Sequence, residues 1–443
     1  MSSQVHEDDT PLEDVGQLVQ FMAQGGKPVD QWVIGTEHEK LGWWPARGLP
    51  PDYHDPRGIG ALLESLADTA GWTATREGPA IIALARDRAT LTLEPGGQFE
   101  LSGAPLRTLA ETAAELDAHF TEISAHSAPL GIEWSGLGLM PWGTPDAMPM
   151  MPKARYGILD RHLRTRGGHG IHMMRQTCTV QANYDYADEV DAFEKFRVSI
   201  YLQPFVMAAF ANSPVVDGVL VPERTYRGRI WGDTDPQRCV LPLRFMAPGA
   251  TFADYVAWAI DIPLLFIHRD GAYLDCEGLS LRAFMERGWR GYRASVGDYA
   301  LHLSTLFPEV RLKQHLEVRA ADMGDRDQVL ALPAFHAGLL YDDRARGAAM
   351  ALLSSFTPAR WATLWKRVPV EGLSAEIDGT ALREIGVDLI RLAREGLSRW
   401  EPGSASMLDG LGEAVAQGRC PADLIREQYD GDPSGVLRRS RVA

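Results

Sequence analysis

The stretch "LTLEPGGQFELSG", Leu91 to Gly103, decides how this chain is read. On an extended backbone successive side chains leave on opposite faces, so Thr92 and Glu94 share one face while Leu91 and Leu93 share the other. Pro95-Gly96-Gly97 interrupts the run, and beyond it Gln98, Glu100 and Ser102 share a face opposed by Phe99 and Leu101. Two alternating runs about a turn signal predict a β-hairpin. Its two glutamates then lie on adjoining polar faces, which either meet bulk water or surround a cation.

Three more segments are strand candidates: "QWVIGTEHEKLG", "TCTVQANYDY", where the alternation is cleanest, and "VRLKQHLEVRAAD". In the first, Glu37 and Glu39 leave one face. In the second, Thr177, Thr179, Gln181, Asn183 and Asp185 oppose Cys178, Val180, Ala182 and Tyr184. In the third, Glu317 and Arg319 share the polar face with Lys313 and His315, while Leu316 and Val318 turn to the core. Such one-sided polarity predicts an antiparallel sheet with one covered face.

Helical spacing marks "PLEDVGQLVQFMAQGG", "GALLESLADTAGW" and "PLRTLAETAAELDAHFTEISAHSAPLG". "DEVDAFEKFRVSIYLQPFVMAAFANSP" is apolar enough to cross the back of the sheet, and the chain from about 343 to 435 is mostly helical. The termini, "RRSRVA" included, are expected to fray. No linker or repeat divides the chain, so the expectation is one α+β catalytic domain over residues 1–443. The Pro/Gly/Met-rich "LMPWGTPDAMPMMPKARYGI" then reads as a functional loop.

Composition narrows the function. With 44 Lys+Arg against 59 Asp+Glu the net charge is −15, which argues against any general grip on nucleic acid. Cys178, Cys239, Cys276 and Cys420 are far apart and fit a reducing cytoplasm rather than a disulfide framework or a zinc ribbon. The acidic start "MSSQVHEDDTPLED" lacks the pattern of a signal peptide, and no apolar run reaches membrane-spanning length. A soluble, cytoplasmic protein is expected.

Glu37 and Glu39, Glu94 and Glu100, and Glu317 come from three distant segments, each on a polar strand face. Mg²⁺ prefers such oxygen ligands, with phosphates and water completing its shell. Taken singly, each glutamate is more often an ordinary solvated side chain than a ligand, and the pattern alone leaves both readings open. "ERTYRGRIWGDTDPQR" concentrates Arg224, Arg227, Arg229 and Arg238, forks suited to carboxylate or phosphate, although a surface loop of mixed charges would look the same. His169 and His172 lack a third ligand, "RTRGGHG" matches neither a P-loop nor a dinucleotide fingerprint, and Cys178 lies on the apolar side of its strand.

Together, "IGTEHEKLG", "LEPGGQFELSGAPLRTL", "MPKARYGI", "RTYRGRIWGDTDPQR", "TLFPEVRLKQHLEVRAAD" and "ALPAFHAGLLYDD" resemble the glutamate–cysteine ligases of the plant and proteobacterial type, in order from about residue 30 to 345. The resemblance implies a glutamine-synthetase-like fold, a curved antiparallel sheet forming a funnel backed by helices. It implies ATP-dependent joining of the L-glutamate side-chain carboxylate to the amine of L-cysteine through a γ-glutamyl phosphate, the first step of glutathione synthesis. Glu37, Glu39, Glu94, Glu100 and Glu317 then hold Mg²⁺, with Arg319 and Glu94 at the chemistry. Arg227, Arg229, Trp231, Gln181 and Asn183 line the substrate site.

The chain departs from the family pattern at Leu265 (a tyrosine there), His172 (an aspartate) and Gly228-Arg229 (a serine-histidine pair). These departures bear on the acceptor, and a related γ-glutamyl ligase with another amine in a specialised pathway is the alternative. Cys276 matches one cysteine of a plant regulatory disulfide, but no second cysteine follows nearby, so that bridge is not expected. A non-catalytic binding protein on the same fold is disfavoured by the complete acid set.

Overall fold

The computed structural model describes residues 10–354 and 357–443, so the acidic start up to residue 9 lies outside the described residues. Nine strands form the central sheet. In chain order they are β1 (Ile34–Trp43), β2 (Thr73–Glu77), β3 (Ala80–Arg86), β4 (Ala89–Leu93), β5 (Phe99–Ser102), β6 (Glu133–Ser135), β7 (Thr179–Tyr184), β8 (Val310–Leu312) and β9 (Leu316–Asp322). Across the sheet the order is β8-β9-β7-β1-β5-β4-β3-β2, with β6 pairing the far end of β1, and every pairing is antiparallel.

The opening hairpin is β4 and β5, with Thr92 opposite Glu100 and Leu91 opposite Leu101. The Glu94 amide donates to the Gln98 carbonyl and the Gly97 amide to the Glu94 carbonyl, closing a three-residue turn. Gly97 has φ +87°, a conformation that an L side chain resists.

The apolar face of the sheet is backed by helices. Glu189–Ala209 packs on β9, and Arg326–Leu340 packs on β7. Asp188 caps the first through the Asp191 amide, and Asp325 with Gln328 forms a capping box on the second. Tyr184 on β7 donates its hydroxyl to the Pro333 carbonyl at 3.0 Å, tying strand to helix. One contiguous set of buried apolar residues runs from Leu12 to Leu437, so the helical segment beyond Asp343 shares its core with the sheet.

Three expectations are corrected. The polar face is covered as well: Gln181 and Glu317 are fully buried, and Met173, Trp231 and Phe307 close over Glu39, Glu94 and Arg319 while Lys153 and Arg227 reach the Leu93, Arg319 and Ala320 carbonyls. "VRLKQHLEVRAAD" is two strands rather than one, turned at Lys313–His315, where the Lys313 amide donates to the His315 carbonyl. "RRSRVA" is not frayed, for Trp134 donates its amide to the Ala443 carbonyl and accepts from the Val442 amide. Among the described residues no helix is long and apolar enough to cross a membrane.

Candidate active site

Strand register builds the site. Glu37 lies opposite Gln181 on β7 and Ser102 on β5, Glu39 lies opposite Glu100, and Glu317 lies opposite Asn183 and Arg311. Facing residues on an antiparallel pair have their Cβ atoms about 5 Å apart, and like charges there are destabilising. Glu39 and Glu100 are such a pair, and both are buried. Glu94, at the hairpin turn, is 5% exposed and joins the same wall.

Local donors orient these acids. Thr92 donates its hydroxyl to Glu100 at 2.7 Å, Asn183 its amide to Glu37 at 2.8 Å, and the Thr179 backbone N–H donates to Glu39 at 2.9 Å. Burial, followed by the charges of Glu94 and Glu100, pushes the Glu39 carboxyl up to about 8. Glu37 is raised for the same reasons, by burial and then by Glu317 and Glu100. Glu37 and Glu39 thus hold their protons more tightly than exposed glutamates, a conflict the neighbouring protein cations leave unrelieved at these two residues.

Glu317 is the opposite case. Arg311 grips it through Nη2 at 2.7 Å, Lys313 lies 2.9 Å away, and Arg319 donates through Nη1 to both Glu317 and Gln181. Burial alone would raise Glu317, but these three cations outweigh it and hold the carboxyl well below the usual range. Arg319 is therefore fixed in direction by an anion beneath it.

Arg227 fixes it from the other side. Its fork donates to the backbone carbonyls of Ala320 and Arg319 at 3.0 and 2.8 Å, across the irregularity between Val318 and Ala321 on β9. The guanidinium stacks on Trp231 at 4.2 Å and is 2% exposed, so it is no surface-loop arginine. Arg229 is different: its side chain is 55% exposed and pairs with Glu223 outside the cavity. His169 lies 2.8 Å from Asp233 and 3.1 Å from the Tyr226 hydroxyl, a structural contact of the covering segment.

Glu39, Glu94 and Arg319 face one small cavity of about 20 Å³, closed by Trp231, Met173 and Phe307. That volume suits one water-sized guest or a bare cation. A nucleotide or amino acid enters only if the cover moves. Among the described residues no three acid, imidazole or thiol groups converge on one point as metal ligands. The donor chemistry nevertheless fits Mg²⁺. Glu39, Glu94 and Glu100 offer hard oxygen donors whose mutual repulsion a divalent cation would relieve.

The strand pattern of the sequence puts Glu37, Glu39, Glu94, Glu100, Glu317, Arg319, Gln181 and Asn183 on polar faces of separate segments, and the pairing of β1 with β5 and β7 and of β7 with β9 brings those faces side by side, with Glu94 just past the end of β4. Sequence reasoning missed Arg311, although that residue alternates with Val310 and Leu312, and it marked Lys313 only as a member of the polar face. It also missed Lys153, buried with its ammonium 2.8 Å from the Leu93 carbonyl, and the lids Phe307 and Met173. Periodicity marks faces of strands; it carries no sign for a residue that arrives from a covering loop.

The fold is shared with a solved ligase: the structure of glutamate–cysteine ligase from Francisella tularensis in complex with AMP superposes with TM-score 0.53, covering 92% of this chain and 88% of that one. At 13% identity this is a likeness of fold alone. The chain belongs to glutamate–cysteine ligase family 2, whose sequence profile matches residues 33–440. The chloroplastic glutamate–cysteine ligase of Arabidopsis thaliana is 40% identical over 419 residues, covering 94% of this chain and 80% of that protein. Chloroplastic glutamate–cysteine ligase A of Oryza sativa subsp. japonica is 38% identical over 418 residues, covering 93% and 84%.

Proposed function

We propose that this chain joins the side-chain carboxylate of glutamate to the amine of cysteine at the expense of ATP. The observation that carries the reading is the set of buried, mutually facing carboxylates beside an arginine anchored on both sides. Family membership supplies the substrates.

The reaction brings two anions together, a carboxylate and a triphosphate. The glutamate carboxylate attacks the γ-phosphorus, ADP leaves, and the acyl phosphate is then opened by the amine with loss of phosphate. Arg319, held by Glu317 and by the grip of Arg227 on its backbone, is fixed to meet the transferring phosphoryl group. Glu39, Glu94 and Glu100, with Glu37 beside them, are the residues that would hold Mg²⁺. When bound, that ion would supply positive charge to offset the charge developing on the phosphate. Trp231, Met173 and Phe307 exclude water, which would otherwise hydrolyse the acyl phosphate.

The shared core from Leu12 to Leu437 supports one catalytic unit, and four buried, unpaired thiols support a reducing cytoplasm. The decisive assay supplies Mg²⁺, ATP and glutamate with a panel of amines. Cysteine should give ADP and γ-glutamylcysteine in equal amounts. Product with other amines but none with cysteine would move the assignment to a related γ-glutamyl ligase.

A further inference from the structure

Glu309, in "FPEVRLK", has no part in the chemistry so far. Its backbone carbonyl accepts from the Arg319 amide at 2.8 Å, which places it directly across from Arg319, one step beyond the Val310–Val318 pair. Two residues before Arg311 and just ahead of β8, it continues the alternation that puts Arg311 on the face of Glu317. Phe307, two residues earlier, closes the cavity, and its carbonyl accepts from the Trp231 indole at 2.8 Å. Glu309 thus sits at the edge of the site, 8% exposed.

Its surroundings set it apart from the buried acids that the fold neutralises. Glu317 is held by three cations, Asp298 by Arg269 at 2.5 Å, and Asp322 by the hydroxyls of Ser213 and Thr225. Glu309 receives a hydrogen bond from the Trp365 indole at 2.6 Å, and among the described residues it forms no ion pair. The charged group facing it is Arg227 from the helix Tyr226–Trp231; Arg319 meets it through the backbone alone, its fork being bound to Glu317 and Gln181, and Trp365, from Pro358–Glu371, is uncharged. Arg311, on its own strand, is turned to Glu317. Burial pushes the Glu309 carboxyl up to about 7, against the pull of Trp365 and Arg227.

The ligase reaction needs such a group. An amine acceptor arrives as an ammonium ion and must lose a proton before its nitrogen can attack. We propose that Glu309 is the general base of the amide-forming step, taking the proton of the acceptor ammonium at the edge of the site. The nitrogen pair then forms the C–N bond to the acyl phosphate carbonyl as the C–O bond to phosphate breaks. Of the three ammonium protons one stays on the amide, one passes to Glu309, and one leaves with phosphate as HPO₄²⁻. The inference rests on the ligase reading above.

The test separates the two half-reactions. Glutamate-dependent scrambling of ¹⁸O at the β,γ-bridge of ATP reports acyl phosphate formation without any amine. ADP release with cysteine reports the whole reaction. Glu309→Gln keeps an acceptor for Trp365; it should leave scrambling intact, slow ADP release with cysteine by about 10²-fold or more, and erase the rise of kcat/KM with pH near 7. Glu309→Asp should retain that rise with a reduced rate. Trp365→Phe removes a bond that favours the ionised carboxylate, so it should keep the rise and move it to higher pH. Normal rates and an unchanged profile in Glu309→Gln would overturn the proposal, as would equal loss in Trp365→Phe, which would make Glu309 a latch for the helix. No scrambling in the unaltered enzyme would overturn the ligase reading itself.

Discussion

Glu94 and Glu317 lie on the same face yet in opposite electrostatic settings, and their amide variants should separate function from stability. Glu94 adds to the field that raises Glu39, so Glu94→Gln removes repulsion from a buried cluster. Turnover should fall by at least about 10²-fold while the melting temperature holds or rises, the usual signature of a site that trades stability for function. Glu317→Gln instead strips the counter-ion from Arg311, Lys313 and Arg319. Removing one partner of a buried ion cluster costs about 3–5 kcal/mol, to be read from the denaturation midpoint. A stable, active Glu317→Gln would show that the cations need no anchor. The sequence made both glutamates visible as members of a polar face, but it could not distinguish them. That difference comes from Arg311 and Lys313, brought across by a turn with no glycine, proline, asparagine or aspartate to announce it.

At the scale of elements, the hairpin turn is pressed against the segment that covers it. A Cβ built on Gly96 would lie 2.0 Å from the Arg175 carbonyl oxygen, so Gly96→Ala forces the helix Gly170–Gln176 away from the turn. The expected cost is about 1–3 kcal/mol with a matching loss of turnover, since Glu94 and Met173 move apart. Normal stability would mean that the cover is loosely held. The β4, β5 and β7 strands were legible because polar and apolar residues alternate strictly in them, and β1 because Glu37 and Glu39 recur at strand spacing. β2 and β3 were not: "TATREGPAIIALAR" is rich in alanine, a weak strand former, and its turn at Gly78, φ +57°, resembles any loop. The covering of the polar face was equally hidden, because a strand's alternation is the same whether its polar side meets water or another part of the chain.

For the whole molecule, folding leaves imidazoles in apolar surroundings. His336 on the helix Arg326–Leu340 is fully buried, and burial lowers it to about 4 despite its contact with the Leu332 carbonyl. Its unfolded value is near 6.5. Between these values the unfolded chain binds a proton that the folded chain refuses, so the stability this group contributes is present above pH 6.5 and is lost as pH falls toward 4. Relative to His336→Leu, the unaltered protein should lose about 1.4 kcal/mol per pH unit across that window, measured by urea unfolding. A constant difference would place a charged imidazole in the core. The C-terminal tail shows the limit of composition: "RRSRVA" has the charge of a loose end, yet its backbone pairs with Trp134, and a backbone partner leaves no trace in side-chain pattern.

Calorimetric titration of Mg²⁺–ATP into the unaltered protein and into the double variant Glu39→Gln, Glu94→Gln tests the convergent carboxylates most directly. Glu39, raised to about 8, must give up its proton to bind a cation. The unaltered protein should bind and release about one proton at pH 7, seen as a dependence of the heat on buffer ionisation enthalpy. The folded double variant should show neither. Equal binding by both proteins, with no proton released, would contradict the account.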